Sequence, residues 1–559
     1  MPGANALLAA QPPAAPIACG GSLACDTDLG PALDLERKIA DNTWDGQVYE
    51  VDYDTLSPER TRADIVSVNH FGDSALWTGT YLAAQSFRYA LAQHKLAARP
   101  QDPERKLWKD QRDESLARVL DMARKFHILA NISQLWNHEL NPSLEQPGFG
   151  GGVFAGEPGY LMRACIPKGV PAWQTWSELS LQTTDVEPPP YTRNRRVFGP
   201  FPWRNEDGTT TEYYCEDGTS RDAYAGTIFG LLAAFDLVGR DQPQMRHRIR
   251  DDIVTLVNFA VKYYWNTPRP HGRISLPIPT GPGGVPCSLL PASPCGHDFE
   301  NFVSPLFVLQ PIHRMNMAQA ARHVVHADPG RDDAAKWDEI WTVELLTDLP
   351  FLDVEYEVDA VQPNESYYKF NLLHLTSYDV IHLEEDPLTR SVFKQAFGVL
   401  DRTTGDDVNA HFETITYALS GERSRLDAAI AHLRQWRDYR ARVDTVTSTT
   451  NSTRCGTSLE CVPEDQLEII QPTPLGEETI VVPGTSTDLR ARRPLPVAQR
   501  AETDFLWQRP PTQLDGGESL THQFPGIDYL LPYWMLRYYT EAAPPPVEPI
   551  PAWPGPAHA

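Results

Sequence analysis

The chain has 559 residues, of which 41% are hydrophobic and 22% are charged, so it is long enough to bury a large core. Its formal net charge of -25 argues against nucleic-acid binding, because phosphate recognition needs clustered Lys and Arg. No apolar run reaches the length of about 18 residues that a helix needs to cross a bilayer, so we expect no transmembrane segment.

Low-complexity segments mark both ends of the chain. Residues 1–32 are rich in Pro, Ala and Gly and predict an extended leader, and residues 543–559 predict a Pro-rich tail. The sequence PPAAPIA precedes Cys19, which makes that cysteine a candidate lipoprotein anchor, although the basic segment of a complete signal peptide is missing. The remaining residues, 33–542, are expected to form one domain.

Helical patterns follow one another in pairs through this domain. The first member of each pair is apolar on nearly every side, whereas the second has one apolar stripe and a charged face. In chain order the predicted helices are 73–98 and 112–132, 222–238 and 244–265, 298–325 and 332–346, 366–382 and 388–400, 408–419 and 424–443, and a last one at 527–539.

The alternation of the two helix types predicts two concentric layers. A helix that is apolar all round is buried on all sides, and a helix with a stripe is buried on one. We therefore expect a mainly α fold, an (α/α)6-type toroid of helical hairpins with minor β structure, closed by a short helix at 33–40 against the last inner helix. An irregular helical bundle or a solenoid is the alternative, but no fixed repeat of about 34 to 47 residues favours the solenoid.

Glycine occurs just inside two of the predicted inner helices. Gly79 and Gly226 each precede a threonine in the related segments GTYLAA and GTIFGLLAA. Each glycine costs about 1 kcal/mol of helix propensity relative to alanine. We expect close packing between inner helices to compensate for that cost.

Three long insertions interrupt the pairs, at residues 137–220, 266–297 and 443–525. They are rich in Pro, Gly, Thr and aromatic residues, and loops of this length inside a compact domain are usually functional or disordered. Their aromatic content favours order. In a ring of hairpins they would build a rim around one opening, with residues 470–500 forming a small β-rich flap.

The eight cysteines favour disulfide bonds over a zinc site, because no CxxC pair with close partners is present. Short disulfide-closed loops place the protein in an oxidising compartment, which means that it is secreted, periplasmic or at the cell surface. The close pairs are Cys19 with Cys25, Cys287 with Cys295, and Cys455 with Cys461, and the two other cysteines are Cys165 and Cys215.

Acidic residues and histidines lie near the predicted starts of inner helices. Aspartate at such a position commonly caps free backbone N–H groups, and this is the alternative explanation for each one. A toroid would gather these ends around one cavity, where paired carboxylates suit glycoside hydrolysis: one protonates the leaving oxygen, and the other activates water or attacks the sugar. The predicted catalytic residues are Asp73, Asp222, Asp298 and, as a proton shuttle, His297.

Aromatic and cationic residues complete the candidate site. Indole rings offer flat apolar faces on which sugars stack, although each one is also explained by core packing, and arginine pairs with carboxylates such as a uronate. A tyrosine and a histidine grouped with the helix starts are included. The predicted substrate-binding residues are His70, Trp77, Arg163, Trp176, Arg221, Tyr378, Trp507 and Arg509.

The helix succession, with HFGDSALWTGTYLAAQSFRY at 70–89 and SRDAYAGTIFGLLAAFDL at 220–237, resembles the α/α-barrel carbohydrate-active enzymes, which include glycoside hydrolases and polysaccharide lyases. The resemblance covers most of residues 60–540 in pattern and identifies no single family. It implies an exported enzyme that hydrolyses a poly- or oligosaccharide. The alternatives are a lyase of a uronate-containing glycan and a non-catalytic glycan-binding surface protein.

No cofactor is predicted. Loop carboxylates in such a rim would allow a calcium ion, but no EF-hand spacing is present. The sequence makes no prediction of oligomeric state.

A second pattern is similar to two motifs of vanadium haloperoxidases and related acid phosphatases, which hold an oxyanion with Lys, Arg and His. It consists of Lys262, Arg269-Pro270 and the PCGH segment at 294–297. Cys295 stands where that motif has serine, and Thr376 stands where its downstream arginine should be. The oxyanion clamp is incomplete, so this site is not expected.

Overall fold

The computed structural model describes only part of the chain, and it is mainly α-helical there, with minor β structure, as predicted. The described residues are 26–55, 61–69, 71–98, 103–135, 158–169, 197–216, 219–263, 311–349, 352, 367–438, 467–469, 489–491, 493–497, 506–507, 510–512, 521–545, 547–548 and 550.

Twelve α-helices lie within the described residues, and most of them are close to the positions predicted from the apolar patterns. They are α1 (Asp26–Lys38), α2 (Phe71–Ala98), α3 (Arg105–Asn131), α4 (Arg221–Leu237), α5 (Pro243–Tyr263), α6 (Pro311–Ala327), α7 (Ala334–Asp348), α8 (Tyr368–Leu383), α9 (Pro387–Thr404), α10 (Ala410–Ser420), α11 (Arg423–Asp438) and α12 (Ile527–Glu541).

The even-numbered helices are the buried ones. Every residue of α10 is buried, and α2 is buried almost continuously from Phe71 to Ala92. The odd-numbered helices bury one face, as in α9, where Asp386 caps the first turn by accepting a hydrogen bond from the Thr389 amide and Pro387 begins the helix. This division follows the predicted difference between helices that are apolar all round and helices with a single stripe.

The even-numbered helices contact one another in a closed order. Helix α2 packs against α4, α4 against α6, α6 against α8, α8 against α10, α10 against α12, and α12 against α2, while α4 also contacts α8 directly. The odd-numbered helices lie on this group. Helix α3 contacts α2, α5 contacts α4 and α6, α7 contacts α6, α9 contacts α8, and α11 contacts α10. The N-terminal helix α1 packs against α12.

Helices α2 and α4 approach one another most closely at glycine. A Cβ atom added to Gly79 would overlap the backbone of Gly226, and one added to Gly226 would lie 2.7 Å from the Cα atom of Leu76. Only glycine lets the two backbones come this near, which accounts for residues that are otherwise unfavourable inside helices. The predicted close packing at Gly79 and Gly226 is confirmed.

Helices α2, α4 and α6 run in the same direction. Leu76 of α2 lies against Gly226 of α4, and Gly79 lies against Gly230. Helix α4 meets α6 through Arg221 and His313 early in the two helices and through Asp236 and His323 late in them. The rings of Phe87 in α2 and Tyr538 in α12 are 5.4 Å apart in the second halves of their helices, and the hydroxyls of Tyr378 and Tyr539 are 2.5 Å apart. We call the side on which these helices begin the amino-terminal face and the opposite side the carboxyl-terminal face.

The described residues also contain short strands. They form a β1–β2 hairpin (Thr43–Trp44 and Gln47–Val48), a sheet of β3 (Glu50–Tyr53), β4 (Ile65–Asn69) and β10 (His522–Gln523), a sheet of β5 (Ala164–Pro167), β6 (Val197–Arg204) and β7 (Thr210–Glu216), and the pair β8 (Leu467–Ile469) and β9 (Leu489–Ala491). Of these strands, β2 and β5 contact α2. Hydrogen bonds from Ser74 Oγ to the Val48 carbonyl, 2.6 Å, and from the Val48 amide to Thr78 Oγ1, 2.9 Å, hold the hairpin against α2.

A disulfide joins Cys165 on β5 to Cys215 on β7, at directly opposed positions of the two antiparallel strands. The bond agrees with the predicted use of cysteines in disulfides, although the sequence did not identify this pair. The three predicted short loops, and Cys19, lie outside the described residues. The antiparallel pair β8–β9 lies partly within the segment for which a β-rich flap was predicted.

Two predicted segment boundaries can be compared with the coordinates. Helix α1 begins at Asp26, within the segment predicted to be a leader. In the predicted tail, the Glu548 carboxylate forms an ion pair with Lys394 Nζ at 2.8 Å, and the Glu548 amide donates a hydrogen bond to the Ser420 carbonyl. Among the helices that the coordinates describe, none combines the length and the apolar character that crossing a membrane requires.

Candidate functional site

Four of the predicted site residues lie at the amino-terminal face, and three of them, Arg163, Arg221 and Asp222, interact with one another. Asp73 lies in the first turn of α2, and Asp222 and Arg221 lie in the first turn of α4, the helix that packs against α2 through glycine. Arg163, just before β5, is near enough to Asp222 to favour its ionised form. Two elements far apart in sequence therefore contribute to one cluster.

Five predicted residues cannot be compared with the structure. These residues, His70, Trp176, His297, Asp298 and Arg509, lie outside the described part of the chain, and their roles stay predictions.

The surroundings of Asp222 shift its carboxyl group toward the protonated form. Burial raises its pKa above the ordinary range, while Arg221 and Arg163 oppose the shift without cancelling it. Arg221 Nε lies 3.3 Å from Asp222 Oδ1. The cap of α4 is Ser220, whose side chain accepts a 3.2 Å hydrogen bond from the Ala223 amide, so helix capping does not account for Asp222.

His313 joins this cluster and was not predicted. It is the third residue of α6, is 2% exposed, and has a pKa lowered to about 3 by burial and by the nearby positive charge of Arg221. Its imidazole is therefore neutral, which leaves one ring nitrogen able to accept a proton. The segment PIHRM offered a histidine in an apolar surrounding as the only signal, and this pattern is more often a structural histidine.

The two tryptophans that the structure describes among the predicted set pack against each other. Trp77 is 2% exposed and Trp507 is 1% exposed, and their ring centroids are 6.0 Å apart. Trp507 also contacts the ring of His411 at 4.7 Å, and its backbone carbonyl accepts a hydrogen bond from the Asn371 amide group. These indoles form an inner wall among α2, α8 and α10 and do not present an open stacking face in this structure.

A buried ion pair supports that wall from the β10–β3–β4 sheet. Trp77 Nε1 donates to Glu50 Oε1 at 2.9 Å, and Glu50 Oε2 lies 3.1 Å from Nε2 of His522. The other ring nitrogen, Nδ1, is 2.8 Å from Asp52. Burial acts to lower the pKa of His522, but the two carboxylates outweigh it and raise the pKa to about 10, so the ring is an imidazolium.

Tyr378 does not belong to the group at the helix starts. It lies in the third turn of α8, where its hydroxyl bonds to that of Tyr539 at the carboxyl-terminal face. The prediction counted Tyr378 among the residues of a helix start, and the observed helix, Tyr368–Leu383, places it toward the helix end.

The described residues contain no group of three His, Cys, Asp or Glu side chains arranged to hold a metal ion. Calcium in the rim loops stays a prediction, because much of those loops lies outside the described residues.

Comparison of the chain with protein-family models, with curated proteins and with solved structures found no match in any of the three. The chemistry of the amino-terminal face is thus the basis for a functional assignment.

Proposed function

We propose that the protein is a carbohydrate-active enzyme that hydrolyses a glycan at the amino-terminal face of an (α/α)6-type toroid. The toroid is supported by the closed contact order of α2, α4, α6, α8, α10 and α12, each covered by an odd-numbered helix. It is also supported by the lengths of the connections. Segments 137–220, 266–297 and 443–525 all lead into the starts of even-numbered helices, and loops carried on a rigid scaffold commonly bear function.

The observation that carries the proposal is the raised pKa of Asp222 beside Arg221. Burial raises this pKa, and a raised pKa is what the general acid of a glycosidase requires. Arg221 Nε donates a hydrogen bond to Asp222 Oδ1 and so orients the carboxyl group. In the proposed reaction Asp222 donates its proton to the glycosidic oxygen as the bond to the sugar breaks.

Asp73 is the proposed second carboxylate. It occupies the first turn of α2, the helix that packs against α4, and like Asp222 it is half-buried. In the proposed reaction its carboxylate activates water or attacks the sugar directly. Arg163, which is largely buried, would pair with a carboxylate on an acidic sugar.

The test replaces Asp222 and Asp73 separately with Asn and measures reducing-end release from a panel of neutral and uronate-containing glycans. Loss of a general acid should lower kcat by about 100-fold or more for the glycan that the unmodified protein cleaves. Asp252→Asn is the control, because Asp252 is a buried carboxyl on α5 whose hydrogen bonds go to His127 and Asn131 and not to the proposed site residues. Unchanged turnover in both Asp222→Asn and Asp73→Asn would refute the proposal.

Elimination is the second candidate, and the neutral His313 beside Arg221 is the observation that favours it. A lyase needs a neutral base to remove the proton next to a uronate carboxylate and a cation to neutralise that carboxylate. His313→Gln should then abolish a product that carries a new C=C bond, detected by its ultraviolet absorbance, while hydrolysis would give no such absorbance. Saturable glycan binding without either product would instead support a non-catalytic glycan-binding protein.

Export to an oxidising compartment is part of the proposal. It is supported by the Cys165–Cys215 disulfide, since such bonds are rare in reducing compartments.

A further inference from the structure

The carboxyl-terminal face contains a cavity of about 260 Å³ that the proposed reaction does not use. It lies among the late residues of α2, α4, α8, α10 and α12, and Pro544 and Pro545, which follow α12, line one side. Because Asp222 and Asp73 lie in the first turns of their helices, this cavity is at the opposite end of the helix group.

Aromatic rings make up much of the cavity wall. Phe229 and Tyr378 meet edge to face with ring centroids 5.8 Å apart, and Phe87 lies 5.4 Å from Tyr538 and 6.0 Å from Tyr539. The faces of such rings carry partial negative charge, which attracts cations.

Two carboxyl groups also line the cavity, and no Lys or Arg does so among the described residues. Asp379 is 4% exposed, and its Oδ2 accepts a 2.9 Å hydrogen bond from Asn316, whereas no partner in the described part of the chain bonds to Oδ1. Asp236 lies beside it and is paired with His323 Nε2 at 2.9 Å. Arg240 and Arg390 lie near Tyr538 and His382 but outside the lining.

The pKa of Asp379 reflects its buried surroundings. Burial raises this pKa well above the ordinary range, and the charge of Asp236 adds to the shift, although the Asn316 hydrogen bond acts against it. A cation bound beside the carboxyl group would lower its pKa again, because an opposite charge favours the ionised form.

We propose that this cavity binds a small organic cation of the quaternary or alkyl ammonium class, with Asp379 as its counterion and the rings of Phe229, Tyr378 and Tyr539 around its apolar groups. The size fits this class, since a cavity of about 260 Å³ is smaller than the roughly 300 Å³ at which pockets for drug-sized ligands begin. His382, which is exposed at the edge of the cavity and stacks on Tyr378 at 5.1 Å, marks the side open to solvent.

Calorimetric titration of the full chain with choline tests the proposal. Its neutral isostere 3,3-dimethylbutan-1-ol has the same shape with carbon in place of the charged nitrogen. Choline should bind saturably, and the isostere should bind about tenfold more weakly or worse. Asp379→Asn should weaken choline binding by about the same factor, whereas Asp252→Asn, which alters a similarly buried carboxyl outside the cavity, should not.

A second variant guards against misfolding. Ala233→Phe places a ring in the cavity from its half-buried position on the wall, and it should abolish choline binding while far-UV circular dichroism stays that of the unmodified protein. The proposal is overturned if choline does not bind saturably to the unmodified chain, if the isostere binds as tightly, or if both variants retain full affinity. None of these outcomes depends on glycan hydrolysis, so the two proposals fail independently.

Discussion

The two faces of the helix group differ in whether their buried ionisable groups have oppositely charged neighbours. At the amino-terminal face, Arg221 and Arg163 lie near Asp222, and His522 lies between two carboxylates. At the carboxyl-terminal face, Asp379 lies among aromatic rings, and among the described residues its carboxyl group bonds only to the amide of Asn316.

The connections explain part of this difference. Helices on the carboxyl-terminal side are joined by short turns such as 384–386 and 421–422, whereas long insertions reach the amino-terminal side. Long loops can bring charged residues from distant parts of the chain, and short turns leave the end to the helices' own side chains. One scaffold can therefore carry two chemically distinct sites.

The largest loss of stability is expected at the glycine contact between α2 and α4, two helices that extend from one face to the other. Gly79→Ala inserts a methyl group into the backbone of α4, and because backbone cannot yield as a flexible side chain does, we expect a loss of about 3 kcal/mol or more of unfolding free energy. Thermal melting should show a single transition at a lower melting temperature than that of the unmodified protein.

Gly30→Ala is the matched control, since nothing lies within 4 Å of its added Cβ atom in helix α1. It should leave the melting temperature unchanged or raise it slightly. Equal effects of the two substitutions would contradict the close approach of α2 and α4.

Removal of the Cys165–Cys215 disulfide should affect the amino-terminal face more than the carboxyl-terminal face. The bond closes a loop of 50 residues next to Arg163, and replacing both cysteines with serine should cost about 2 to 4 kcal/mol. Any glycan turnover should fall while choline binding is retained, as measured on the same preparation. A parallel loss of both would mean that the faces are not independent.

The contribution of His522 to folding stability should depend on pH. Its pKa of about 10 in the folded protein lies above the ordinary value of 6.5, so its stabilising contribution is full below about pH 6.5 and is lost as the pH rises toward 10. We expect His522→Gln to lower stability by about 3 kcal/mol at pH 6 and by progressively less as the pH approaches 10.

Chemical denaturation at several pH values measures this difference. His326→Gln is the control, because His326 pairs with Asp338 at an exposed position and should contribute less than about 1 kcal/mol throughout. A pH-independent difference for His522→Gln would disprove the doubly paired imidazolium.

The smallest expected effect is at the carboxyl-terminal face. Tyr378→Phe removes the hydroxyl that bonds to Tyr539 and should cost about 1 kcal/mol. Tyr417→Phe is its control, since that hydroxyl has no hydrogen-bond partner among the described residues and its loss should be neutral. Identical melting of both variants would rule out an energetic role for the tyrosine pair.

Local patterns were sufficient for the helices but not for the candidate site. The starts of α2 and α4 were predicted within two residues, because apolar periodicity is a property of neighbouring residues. The same reasoning put Tyr378 with the helix starts, although its place late in α8 sends it to the other face. It also did not identify His313, whose low pKa results from burial and from Arg221 on another helix.

The sequence by itself determined the mainly α class, the order of buried and half-buried helices, and the glycines that let α2 and α4 meet, because each of these is encoded within one helix turn or one helix pair. Tertiary structure alone decided that His522 sits between Glu50 and Asp52, that Cys165 pairs with Cys215, and that an aromatic cavity surrounds Asp379. The physical reason is separation along the chain: burial, charge pairing and cavity shape depend on partners that only the folded arrangement brings together.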